Sequence, residues 1–233
     1  MSALALAFFD TAHDLYGTAR SGATILFEGS NPLPYAEGPA LDPSGGGWRA
    51  ELPDVLELEL DPVCETIGLD GLDVRLVRVT GTAAGRQVSC LGTLAETRSA
   101  PEWDELDALR TLSALVDEQH AFLAVARRPR GALGHGEESV SAVLIEEGAP
   151  TEVEEARLST VYDGQGRQRS AGLELWLPGE ELPRRGSGSV IAGSSLALSG
   201  LEVHTAVFRW RLEGRDGIGA YELTVRDEPP AAA

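Results

Sequence analysis

The chain repeats itself once, and this limits what it can fold into. Phe8-Phe9-Asp10-Thr11-Ala12-His13, followed by Ala19-Arg20, returns as Leu115-Val116-Asp117-Glu118-Gln119-His120, followed by Ala126-Arg127. Asp117, His120, Ala126 and Arg127 each lie 107 residues beyond their counterparts. Later pieces keep the same order. Glu28-Gly29 matches Glu147-Gly148, and Leu56-Glu57-Leu58-Glu59-Leu60 matches Leu173-Glu174-Leu175-Trp176-Leu177. Gly71-Leu72-Asp73-Val74 matches Gly200-Leu201-Glu202-Val203, and Gly85-Arg86 matches Gly214-Arg215. An ordered series of matches whose offset grows through insertions is the trace of a tandem duplication.

The period inside each copy is two. Val55-Leu56-Glu57-Leu58-Glu59-Leu60 puts leucines on one face and glutamates on the other, as a half-buried antiparallel strand does. Turn signals are dense: Asn31-Pro32, Asp42-Pro43, Gly45-Gly46-Gly47, Asp70-Gly71, Asp163-Gly164 and Asp216-Gly217. Short strands between closely spaced turns imply a sandwich or barrel. Both Asp-x-x-His segments fall where a hairpin turns, and the aspartate is suited to bond backbone N–H groups just ahead of it. The expected architecture is all-β: two tandem antiparallel barrels, residues 1–98 and 112–228, joined by one short helix over 99–111. The helix is read from Ser99 as N-cap, Pro101 early, acids in the first turn, and Trp103, Leu106, Leu109 and Leu112 at near-helical spacing. Arg127 to Glu138 reads as an exposed loop, and residues 229–233 as a disordered tail.

Composition removes several function classes. With 37 acidic residues against 19 basic ones the net charge is −18. That argues against nucleic acid, which needs a basic face, and against an anionic membrane surface. Every basic residue is Arg. The apolar start, Ala3 to Phe9, lacks a basic leader and reads as a strand, and no run is long enough to span a bilayer, so no membrane insertion is expected. Cys64 and Cys90 lack CxxC spacing and read as reduced thiols of a cytoplasmic protein. The four histidines show neither HxH nor HExxH spacing, so no metal and no cofactor is expected. Gly131 to Gly136 is not a phosphate loop, and Gly186-Ser187-Gly188-Ser189 is not a nucleophile elbow. His135, in the Gly-rich loop, is a candidate ligand-binding residue.

The last hairpin, residues 201–226, carries the densest unusual content. Period two sets Glu202, His204, Ala206, Phe208 and Trp210 on one face, like a strand running from a barrel rim into its interior. Gly214, Gly217 and Gly219 mark a tight turn and a close approach of backbones. His204 and Glu222 are the candidate catalytic residues; Trp210, Tyr221, Thr205 and Phe208 are candidate ligand contacts.

His204-Thr205, Trp210, Gly214, Gly217, Gly219 and Glu222, with Asp10-x-x-His13-x-x-Tyr16-Gly17, resemble the AttH-like and carotenoid hydratase-related proteins. The resemblance implies a pair of lipocalin-like β-barrels and apolar small molecules as ligands. Some members hydrate or cyclise terpenoid and polyketide-like substrates. Three functions stay open on the sequence: binding of a lipid- or terpenoid-like molecule in a barrel mouth or between the units; acid catalysis of the hydratase, isomerase or cyclase type; and a non-catalytic module that docks a partner or a second copy as a homodimer.

Overall fold

The structure, a computed structural model, describes residues 3–133 and 137–226. His135 and the tail 229–233 lie outside them. The first sheet is built from β1 (Ala3–Asp10), β2 (Leu15–Arg20), β3 (Ala23–Glu28), β4 (Asn31–Tyr35), β5 (Ala40–Ser44), β6 (Gly47–Leu52), β7 (Leu56–Pro62), β8 (Ile67–Leu69), β9 (Leu72–Ala83) and β10 (Arg86–Thr97). The second is built from β11 (Leu106–Leu115), β12 (Ala121–Pro129), β13 (Ser139–Glu146), β14 (Ala149–Glu152), β15 (Glu155–Tyr162), β16 (Gln168–Trp176), β17 (Arg184–Leu198), β18 (Leu201–Leu212) and β19 (Arg215–Arg226).

The strand orders are β4-β3-β2-β1-β10-β9-β7-β6-β5 and β14-β13-β12-β11-β19-β18-β17-β16-β15. They are the same order twice. The one difference lies at β17, a continuous strand with a bulge between Val190 and Ala192. In the first copy residues 63–66 interrupt the corresponding stretch and leave β7 and β8 as separate strands, both paired with β9. Every pairing is antiparallel, and each sheet curls around its own apolar interior as a half-barrel.

The conserved turn is a backbone cap. The Asp10 carboxylate accepts N–H bonds from Ala12 at 3.1 Å and His13 at 3.2 Å, with the His13 ring at 2.9 Å. Asp117 does the same for Gln119 and His120, both at 2.8 Å. The second hairpin signal is equally literal: Ala84-Gly85 and Glu213-Gly214 are two-residue turns with positive φ at both positions, the geometry that matches strand twist.

Two expectations need correction. The linking helix does not form; residues 106–115 are strand β11, paired on both sides with β12 and β19. Leu106, Ala108, Arg110, Leu112 and Ala114 point inward by period two, and apolar residues at 106, 109 and 112 merely share a spacing with a helix. The leucine run of β7 corresponds to β17, not to the Leu173–Leu177 run of β16, whose counterpart is β6. Alternating leucine is generic to half-buried strands and does not identify a copy.

Three apolar clusters hold the molecule together. One fills the first half-barrel with Leu6, Phe8, Leu26, Leu58, Leu60, Val77, Val79 and Leu94. A second fills the other half-barrel with Leu112, Phe122, Leu144, Leu173, Phe208, Trp210 and Tyr221. The third joins the two convex faces: Phe9, Tyr16, Ile25, Phe27 and Leu76 of the first copy meet Leu115, Leu123, Val125, Ile145 and Val207 of the second. Strands β1 to β3 and β11 to β13 are therefore buried on both faces, which is why Leu4–Phe9 and Ala121–Ala126 read as continuous apolar runs.

Candidate ligand-binding site

Side chains occupy both interiors. In the second, Phe208 packs on Trp210 and on Tyr221, with ring centroids 5.3 Å apart in each pair. Gly188 is required beside them, because a Cβ there would strike the Trp210 ring. Tyr221, fully buried, shares a 2.6 Å hydrogen bond with Thr160 across the interior. Burial is the main cause that pushes its phenol above its ordinary pKa, and Tyr162 adds to it. Gln168 donates to the carbonyls of His204 and Tyr221 at 3.1 and 3.2 Å. Arg110 and Arg128 both donate to one oxygen of the buried Glu138, at 2.6 and 2.7 Å. These cross-links span the space in which a barrel would otherwise hold a ligand.

The last hairpin divides its residues between two faces. His204, Phe208, Trp210 and Tyr221 point into the second half-barrel, where His204 pairs through Nδ1 with Ser195 at 2.7 Å. Thr205 and Glu222 point the other way, towards the first copy. Thr205 donates to Glu222 at 3.3 Å, and Glu222 is ion-paired with Arg20. Tyr221 and Glu222 therefore do not share a site, and neither do His204 and Glu222. Arg20 thus takes up the Glu222 carboxylate on the face turned to the first copy. Gly219 is the backbone approach that the sequence signalled: a Cβ there would run into the Ser113 carbonyl of β11.

The repeat-matched arginines explain their own conservation between copies. Arg20, at the end of β2, reaches Glu222 of the second copy. Arg127, its equivalent in β12, reaches back to Asp70 of the first, at 2.6 Å to the carboxylate and 2.9 Å to the carbonyl. Arg78 and Glu118 add a third link at 2.6 Å. Burial lowers the Arg20 guanidinium to about 10.

Two concavities adjoin the seam and the outer face. A cleft of about 450 Å³ between the copies is lined by Thr11, Asp14 and Tyr16 from the first and by Leu115, Val116, Arg209, Asp216, Gly217 and Ile218 from the second. Tyr16 donates to Asp14 at 3.0 Å, and burial, then Asp14, push its phenol up to about 12. A wider groove of about 890 Å³ crosses β15 to β18, with Arg157, Arg185 and Arg211 above a floor of Ser159, Gly172 and Ser187. The last hairpin contributes to both through Arg209, Asp216 and Ile218 in the cleft and Arg211 and Glu213 in the groove. The candidate ligand contacts Thr205, Phe208, Trp210 and Tyr221 line neither one.

Two full-length sheets of identical strand order, packed back to back, decide the structural relationship. The chain has the fold of an AttH-type protein. It is similar to the crystal structure of an AttH-type protein from Nitrosomonas europaea, with a TM-score of 0.65 and 13% identity over 96% of this chain and 92% of that one. It is similar also to the crystal structure of CghA, with a TM-score of 0.58 and 11% identity over 98% and 90% of the two chains. No family model matches the sequence, and no curated protein does. Among the described residues no helix is long and apolar enough to cross a membrane, and no three His, Cys, Asp or Glu side chains gather as a metal site.

Proposed function

We propose that the chain binds a hydrophobic small molecule in the cleft between its two half-barrels. One observation carries this reading: the interiors are packed with side chains, while the inter-copy cleft is open, lined by residues of both sheets and of ligand-sized volume. Tyr16, Leu115, Val116 and Ile218 supply its apolar lining, and Thr11, Asp14, Arg209 and Asp216 the polar groups that orient a bound molecule. Burying about 200 Å² of apolar ligand surface contributes roughly 5 kcal/mol before association costs. Filled interiors alone would suit a pure packing module equally well; the cleft is what favours a ligand.

Nile red titration tests this. Saturable binding with a stoichiometry near one is expected for the wild type. It is lost in Ile218→Trp, which fills the cleft from a half-buried position, and kept in Ser159→Trp, which fills the outer groove. Equal binding by all three proteins, or none by the wild type, would refute the proposal.

A further inference from the structure

We infer that the ligand of the inter-copy cleft is an acid: an apolar molecule whose carboxylate is received by Arg209, with Arg211 beside it on the same strand face. The inference rests on the reading that the cleft binds an apolar molecule, and it names the chemistry of that molecule.

The duplication supplies an internal control. The β9–β10 and β18–β19 hairpins share the same two-residue turn and register, so Thr80 corresponds to Arg209 and Thr82 to Arg211. On the neighbouring strand Glu59 faces Thr80 and Glu57 faces Thr82 in the first copy. In the second, Ser189 faces Arg209 and Ser187 faces Arg211. One copy has acids opposite threonines; the other has arginines opposite serines. A cross-strand Glu–Arg pair would have stabilised either sheet, and neither copy has one at these positions.

Most arginines of this acidic chain are ion-paired, among them Arg20, Arg49, Arg78, Arg127, Arg184 and Arg226. The side chains of Arg209 and Arg211 take part in no ion pair or hydrogen bond among the described residues. Arg169 and Arg215 share that state, but they line neither cavity. Arg209 lines the cleft, and Arg211 lines the groove that opens next to it. The cleft's own carboxylates do not satisfy them: Asp14 accepts the Tyr16 hydroxyl, and Asp216, opposite Arg211 on β19, forms no ion pair with either arginine. A ligand lying along Leu115, Val116 and Ile218 thus meets the unpaired Arg209 guanidinium, whose planar fork suits a carboxylate, with Arg211 two residues further along the same strand face. The overall charge of −18 does not forbid this, because charges beyond about 8 Å are largely screened at physiological ionic strength, and at the cleft itself Arg209 with Arg211 offsets Asp14 and Asp216.

Calorimetric titration with decanoate and with 1-decanol tests the inference on the full chain. Decanoate is expected to bind about ten-fold tighter than decanol, as one charge-assisted contact allows. Arg209→Thr, which installs the first copy's residue at an exposed position, is expected to bring decanoate down to the affinity of decanol. Arg211→Thr gives a smaller loss in the same direction. If decanol and decanoate bind equally, or if Arg209→Thr weakens both alike, the acid is not the ligand although the cleft still takes apolar molecules. If decanol also fails to bind, the cleft reading falls with it.

Discussion

The two half-barrels share a strand order and differ in what they enclose. The first interior is mainly hydrocarbon, with Leu6, Phe8, Leu58, Leu60, Val77 and Val79, and at its inner face Arg75 stacks 4.7 Å over Trp48 and pairs with Glu96 at 3.6 Å. The second holds a buried Arg110–Glu138–Arg128 cluster, a Tyr221–Thr160 bond and the Gln168 strut among its aromatic rings. Where the first copy has Glu57 and Glu59 on its outer face, the second has Ser187 and Ser189. Capped turns and inward alternation were kept in both copies, so these suffice to specify the curl. The chemistry of each interior and of each outer face varied independently of it. The first copy is held by the volume of its side chains; the second is held in part by polar geometry that tolerates fewer changes.

That contrast can be broken most sharply at the buried ion cluster. Glu138→Leu leaves Arg110 buried without its carboxylate and should cost about 3–5 kcal/mol, while Glu138→Leu with Arg110→Met should recover most of the loss. Urea unfolding of the two variants measures this, and additive effects would contradict the cluster. Leu58→Ala in the first interior should cost about 3 kcal/mol through the cavity it leaves. Tyr221→Phe should cost only about 1 kcal/mol by stranding the Thr160 hydroxyl. The smallest effect is at the seam. Tyr16 ionises near pH 10 in the unfolded chain and near 12 in the folded one, so its contribution is complete below pH 10 and is lost as the pH rises to 12. Tyr16→Phe should therefore flatten the alkaline decline in melting temperature, with a small loss near neutrality from the missing Asp14 hydrogen bond.

Much of the fold was legible because its determinants are local. Asp10 and Asp117 cap their turns with side chains three residues from the histidines they hold, and Gly85 and Gly214 sit at positive φ as their turns require. The linking helix was misread because Leu106, Leu109 and Leu112 satisfy two periods at once; extending the repeat back from Asp117 to Arg110 would have set that stretch against β1 and favoured a strand. The last hairpin borders both concavities, but period two cannot say which face meets which neighbour. Tyr221 and Glu222 are adjacent in sequence and serve different compartments, and only the packing of one copy on the other reveals that. Arg209 and Arg211 were missed although their signal was present: aligning the two hairpins residue by residue sets them against Thr80 and Thr82.

Crystals grown with 10-bromodecanoate give the most direct test of where the molecule holds its ligand. An anomalous bromine peak between Leu115 and Ile218, with the carboxylate at Arg209, is the expected result. A peak inside the second half-barrel beside Phe208 and Trp210 would contradict it, because those rings would then be lining a site rather than closing one.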